Sequence, residues 1–169
     1  QKYNLKEFTF NLPFRLENQD RIINVQTVVD YILHYFNTNI IICESGANNN
    51  KKEFWKKSWN KNVKYIFHEE PRNLFHKTRL LNILCKAATT KFIVAQDSDV
   101  IFEPNNYINA ANFLRIFENR HFVYPFNRGT VDIPKEKFIV LNKNKNIISL
   151  DLDDKIKEVI NHSRPIPPG

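Results

Sequence analysis

Asp97 and Asp99 flank Ser98 one residue beyond the apolar run Phe92-Ile93-Val94-Ala95, and the chain turns apolar again at Val100-Ile101-Phe102. Two carboxylates one residue apart in such a setting must face water, a metal or a partner. As hard oxygen donors they suit Mg²⁺ or Mn²⁺, which takes one or two carboxylates and leaves other positions to substrate phosphates. Such an ion neutralises charge on a departing phosphate. The plainer reading is a solvated turn, because Asp and Ser are ordinary turn formers and a three-residue motif is weak by itself. Position favours the chemical reading, since the pair stands at the end of an apolar strand. A second acidic group, Asp151, Asp153 and Asp154, opens a periodic run. It reads as the first turn of a helix, where carboxylates complement the macrodipole.

The elements that must position the pair follow from periodicity. "FTFNLPF", Phe8 to Phe14, predicts a short strand ending near Pro13. Ile22, Val25, Val29, Ile32 and Phe36 recur at helical spacing and predict an amphipathic helix capped near Asp20. "TNIIICES" and "KFIVAQ" are near-continuous apolar runs, expected of parallel strands buried on both faces. "KEFWKKSW" predicts a short helix and "VKYIFHE" a strand. Further helices are expected over 78–88 and behind Pro104, a further strand at "HFVYPF", and a hairpin at "KFIVLNKNKNIISL". Trp55 and Trp59 sit one helical turn apart, which favours core packing over sugar stacking.

Strand and helix alternate. The expected class is therefore α/β, with a Rossmann-like, mostly parallel sheet flanked by helices, as one domain over 1–162 and a tail or linker over 163–169. Ligands of such sheets sit at the carboxyl ends of strands. Four polar clusters fall there: Arg15, Glu44-Ser45, His68-Glu69-Glu70 and Asp97-Ser98-Asp99.

The chain has 169 residues, 42% of them hydrophobic, enough for a core. The formal net charge of +7 favours anionic partners, although it also serves solubility. Lys and Arg are spread along the chain and do not alternate with aromatics in one block, which argues against nucleic acid. Cys43 and Cys85 lie in apolar runs and are expected to be buried thiols, in keeping with a reducing, cytoplasmic setting. No apolar run approaches the roughly 20 residues of a membrane span. A peripheral contact with an acidic membrane stays open. The absence of any Met suggests a processed or excised fragment.

"LPFRLENQDRI" resembles the opening of metal-dependent, family-2-like nucleotide-sugar glycosyltransferases of the GT-A fold, above all the β-1,4-galactosyltransferase group. Pro13, Phe14 and Arg15 match that group's Pro-Phe-Arg stretch. "FHKTRLLN" is similar to its Phe-x-Arg-x-Lys-Leu-Leu-Asn segment, with Phe75, Leu80, Leu81 and Asn82 matching and Lys77 and Arg79 exchanging one base for another. "FIVAQDSDVIF" resembles the strand that leads to the family's Asp-x-Asp, and Asp97 follows Asn82 at the family's spacing of fifteen residues.

The resemblance implies a UDP-sugar donor, Mn²⁺ or Mg²⁺ as cofactor, and a glycan or other hydroxyl as acceptor. It implies that Asp99 ligates the metal, with Asp97 touching ribose or the ion. Pro13, Phe14, Arg15 and Glu44 would line the nucleoside site, and Lys77 and Arg79 would face the diphosphate or nucleoside. Glu17 stands where the group has a second Arg, and its Gly-Gly, Trp-Gly and late metal-binding His segments have no counterpart. The expectation is a donor-binding half that transfers sugar slowly or not at all. The catalytic base is unassigned, with Asp132 and Glu136 as first candidates. Two alternatives stand beside this one. One is a haloacid-dehalogenase-like phosphatase with Asp97 as nucleophile. The other is a non-catalytic nucleotide-binding module.

Overall fold

The computed structural model describes residues 2–49, 52–59, 63–72, 74–117, 119 and 122–126. By compactness the chain divides into two units, Gln1–Ile101 and Phe102–Gly169. The expected domain end at residue 162, the hairpin, the acidic run at Asp151–Asp154, and Asp132 and Glu136 lie outside the described residues.

The first unit is α/β. Its elements are β1 (Tyr3–Arg15), α1 (Gln19–Tyr35), β2 (Phe36–Gly46), α2 (Lys52–Ser58), β3 (Val63–Glu69), α3 (Lys77–Ala87) and β4 (Phe92–Ala95). The described strands form one sheet in the order β3-β2-β1-β4, and every pairing is parallel. The chain therefore winds outward from β1 through β2 to β3, then crosses back to place β4 on the other side of β1. Right-handed crossovers put α1 and α2 on one face and α3 on the other.

Side-chain alternation agrees with this layering. On β2, Ile41 and Cys43 pack with Leu80 and Leu84 of α3. The next residue, Glu44, faces Trp55 of α2. On β1, Phe10, Leu12 and Phe14 are each at most 2% exposed and share the α2 side with Ile40 and Ile42. Both faces of β2 are buried in this way, which is why it reads as a near-continuous apolar segment, while β1 alternates Phe8, Phe10, Leu12 and Phe14 with the buried Thr9 and Asn11.

Several boundaries differ from expectation. β1 starts at Tyr3, not Phe8, and its pairing with β2 shifts register between Asn4 and Thr9. The cap of α1 is Asn18, not Asp20; its Oδ1 accepts the Arg21 backbone N–H at 3.0 Å. Asp20 instead sits in the first turn, where its charge suits the helix dipole. β4 is not buried on both faces. It pairs with β1 alone among the described strands, and Ile93 is 42% exposed. Cys43 is buried as expected, but Cys85 is exposed on α3, where its Sγ accepts from Asn11 Nδ2 of β1 at 3.8 Å.

In the second unit, α4 (Pro104–Ile116) begins with the proline that marks its start, as expected. Residues 122–126 form no strand. Pro125 lacks the N–H a ladder requires, and the Phe122 and Tyr124 side chains are largely exposed.

Candidate functional site

The reversal of strand order between β1 and β4 is a topological switch point, where the loops leaving adjacent strands part and open a crevice. A cleft of about 230 Å³ lies there. Its walls come from the end of β1 (Pro13, Phe14, Arg15), the loop after β4 (Asp97, Ser98, Asp99) and the approaches to two helices (Glu17 and Arg21; Phe75 and Lys77). The volume is below the ~300–1,000 Å³ of pockets that enclose a whole small molecule. These walls therefore suit the charged part of a larger ligand.

The loop carrying the carboxylates is held from beneath by Gln96. This side chain is 3% exposed. Its amide Nε2 donates to the carbonyl oxygens of Asp97 (3.0 Å) and Val100 (2.7 Å), while its backbone N–H bonds Asn11 of β1 (3.0 Å). Ser98 points inward and is buried, so Asp97 and Asp99 project outward from a fixed turn.

Each of the two carboxylates holds a cation from a different helix. Arg21, in the first turn of α1, donates through Nη1 to Asp99 Oδ2 at 2.6 Å. Lys77, the first residue of α3, donates through Nζ to Asp97 Oδ1. All four side chains are between 40% and 49% exposed. Pairs so exposed contribute little stability and exchange readily with other ions.

The carboxylate that ends β2 is of another kind. Glu44 is 4% exposed, and its Oε2 accepts the indole N–H of Trp55 at 2.8 Å. The Tyr65 hydroxyl lies 2.9 Å from both Glu44 Oε2 and Asn49 Oδ1, and its single proton goes to the stronger acceptor, the carboxylate. Burial and then this hydrogen bond push the Tyr65 pKa well above the usual tyrosine range. Burial, with the charge of Glu44, likewise raises the Cys43 thiol to about 11. Trp55 is 1% exposed, meets Phe14 edge-on at 5.4 Å, and stacks on Trp59 at 5.3 Å. The two tryptophans thus form packing, as their spacing suggests.

At the end of β3, Glu70 is buried against Arg72, which donates to it through Nε (2.9 Å), Nη2 (3.0 Å) and its backbone N–H (3.1 Å). The Arg72 side-chain bonds hold the Glu70 carboxyl down at about 2.

Of the residues singled out in the sequence, Pro13, Phe14, Arg15, Lys77, Asp97 and Asp99 converge on the cleft. Glu44 and Arg79 do not line it. Glu44 is enclosed by Trp55 and Tyr65, and Arg79 is exposed on α3. Arg21 and Gln96 were not expected. Arg21 has a faint signal, a base one helical turn after the cap that follows β1. Gln96 carries none, because its role arises from carbonyls that only the folded loop turns toward it.

Among the described residues, no group of three or more His, Cys, Asp or Glu side chains comes together. The donors available to a cation are the two aspartates, both hard oxygen ligands. They fit Mn²⁺ or Mg²⁺ as a partial shell that ligand phosphates and water complete. Among the described residues, no helix is long and apolar enough to cross a membrane. No protein-family model matches the chain, and no curated protein matches it either.

Proposed function

We propose that this chain binds a UDP-sugar together with Mn²⁺ or Mg²⁺ and acts as a GT-A-type glycosyltransferase, or as the donor-binding part of one, with a hydroxyl acceptor. The observation that carries the reading is the convergence at the β1/β4 switch point of a carboxylate pair and three basic side chains, Arg15, Arg21 and Lys77. A nucleoside diphosphate calls for both: bases to meet its phosphate oxygens, and carboxylates that would hold an accompanying divalent ion. When bound, that ion would offset the charge left on the departing diphosphate. Asp97 and Asp99 would hold it. Arg15 and Phe14, at the end of β1, would stand along the nucleoside side of the diphosphate. Gln96 keeps the carboxylate turn in place. An acceptor hydroxyl attacking the anomeric carbon also needs a base within hydrogen-bond reach. That group is not assigned.

Calorimetry of UDP binding, with Mn²⁺ and with a chelator, tests the reading. The expected result is weak binding alone and much tighter binding with metal. Equal affinity in both conditions removes the metal role. Incubation with UDP-Gal, UDP-Glc, UDP-GlcNAc and UDP-GalNAc, with and without sugar acceptors, then reports UDP release and product. Phosphate release from small phosphomonoesters, in place of UDP-dependent binding, would favour the phosphatase chemistry on Asp97.

A further inference from the structure

The cleft is electrically balanced before anything binds. Its lining carries three bases, Arg15, Arg21 and Lys77, and three acids, Glu17, Asp97 and Asp99. Two of the bases are already spent on the two carboxylates that a cation would use. A divalent ion arriving alone must displace Arg21 and Lys77 and leave both without partners. A diphosphate arriving alone must draw the same two bases away and leave Asp97 and Asp99 as bare neighbouring charges. Neither ligand by itself preserves the balance. Together they do, because the ion takes the carboxylates while the phosphates take the bases.

We infer that Arg21 and Lys77 are exchangeable counter-cations, so that a divalent cation and a diphosphate enter this cleft as a coupled pair. The nucleotide identity of the diphosphate rests on the reading proposed above; the exchange itself rests on the charge arrangement. The geometry permits it with little movement of the fold. The Arg21 backbone is fixed by its bond to the Asn18 cap, and Lys77 is anchored at the start of α3. Only the side chains need swing, and both are already partly in water. The planar guanidinium of Arg21 suits two phosphate oxygens at once, while Lys77 offers a compact point charge. Coupling of this kind is reciprocal, so the metal must tighten the phosphate by the same factor as the phosphate tightens the metal.

The roles of Arg21 and Lys77 predict effects of opposite sign on two ligands. Removing either base frees a carboxylate for the ion and takes a partner from the phosphate. Equilibrium dialysis of Mn²⁺, with bound ion read by electron paramagnetic resonance and ligand-only controls subtracted, is run on the native chain, Arg21→Met, Lys77→Met and Arg21→Lys. Each is measured alone, with inorganic pyrophosphate, and with UDP. In the native chain pyrophosphate should tighten Mn²⁺ by roughly 5- to 150-fold, the usual range of coupling. In Arg21→Met and Lys77→Met, Mn²⁺ alone should bind several-fold tighter, and the gain from pyrophosphate should shrink. Arg21→Lys should restore much of that gain. Circular dichroism confirms that each variant is folded. Unchanged or weaker Mn²⁺ binding in both folded methionine variants overturns the exchange, as does a pyrophosphate gain they leave intact. Coupling to pyrophosphate without coupling to UDP supports the exchange and overturns the nucleotide reading. Strong UDP–metal coupling that neither variant alters does the reverse.

Discussion

Two acidic stations flank β1 at the carboxyl edge of one sheet, and they are built on opposite principles. Glu44, ending β2, is buried and met by neutral donors, the Trp55 indole and the Tyr65 hydroxyl. Asp97 and Asp99, after β4, are half in water and met by half-exposed cations, Lys77 and Arg21. A buried carboxylate with fitted neutral donors cannot release them without leaving unsatisfied groups in the core. An exposed carboxylate can trade one cation for another at little cost, because water screens the intermediate state. The same residue class at the same edge therefore serves as scaffold on one side of β1 and as an exchangeable site on the other.

The sharpest way to break this contrast is Glu44→Ala. It strands the buried Trp55 donor, at roughly 1–3 kcal/mol, and leaves Tyr65 with Asn49 in place of a charged acceptor, at about 1 kcal/mol more, so the fold should lose about 2–4 kcal/mol. Thermal or urea unfolding measures this. A stability change near zero, with loss of UDP affinity, would move Glu44 from scaffold to ligand contact.

Asp97→Asn with Asp99→Asn tests the other station. The exposed pairs contribute at most about 1 kcal/mol each to stability. The metal-dependent gain in UDP affinity, about 1–3 kcal/mol for a coupled pair of ligands, should disappear. Calorimetry with and without Mn²⁺ decides this, and a retained gain would place the cation elsewhere.

A smaller effect concerns pH. The folded Tyr65 pKa is raised, so the neutral phenol is favoured in the fold. Its contribution is fully present below the unfolded value of about 10 and is lost as pH rises beyond it. Cys43 acts in the same direction, its contribution falling as pH rises from the ordinary thiol value of about 8.5 toward the folded value of about 11. Urea unfolding between neutral pH and alkaline conditions should show stability falling with pH. Tyr65→Phe should cost about 1.5–3 kcal/mol at neutral pH, the worth of one hydrogen bond to a charged group, and should flatten the alkaline decline. An alkaline decline as steep in Tyr65→Phe as in the native chain would remove Tyr65 from its cause.

The smallest effect is expected for Arg79→Ala. Arg79 is exposed on α3 and off the cleft lining. Stability and UDP affinity should each move by less than about 0.5 kcal/mol, as surface substitutions do. A loss of UDP affinity comparable to that of the aspartate variants would extend the site along α3.

Much of the frame is legible in the sequence because it depends on local pattern. The apolar runs of β1 and β2, the helical spacing of α1 from Ile22 to Ile32, and Pro104 ahead of α4 each mark their element through backbone sterics and burial. Alternation of strand and helix then implies a parallel sheet, and a parallel sheet gathers its strand ends on one edge. The sequence therefore places Arg15, Asp97 and Asp99 at that edge unaided. It does not reach the strand order, which depends on how distant segments pack and which places β4 beside β1 and not beyond β3. Nor does it separate Glu44 from the aspartates, since exposure is set by what the rest of the chain lays over a strand end. Trp55 and Tyr65 cover Glu44, while among the described residues nothing comparable encloses the Asp97 and Asp99 side chains. The pairing of Arg21 with Asp99 joins residues 78 positions apart. No local periodicity encodes such a contact; it exists because the switch point brings the first turn of α1 and the loop after β4 to the same cleft.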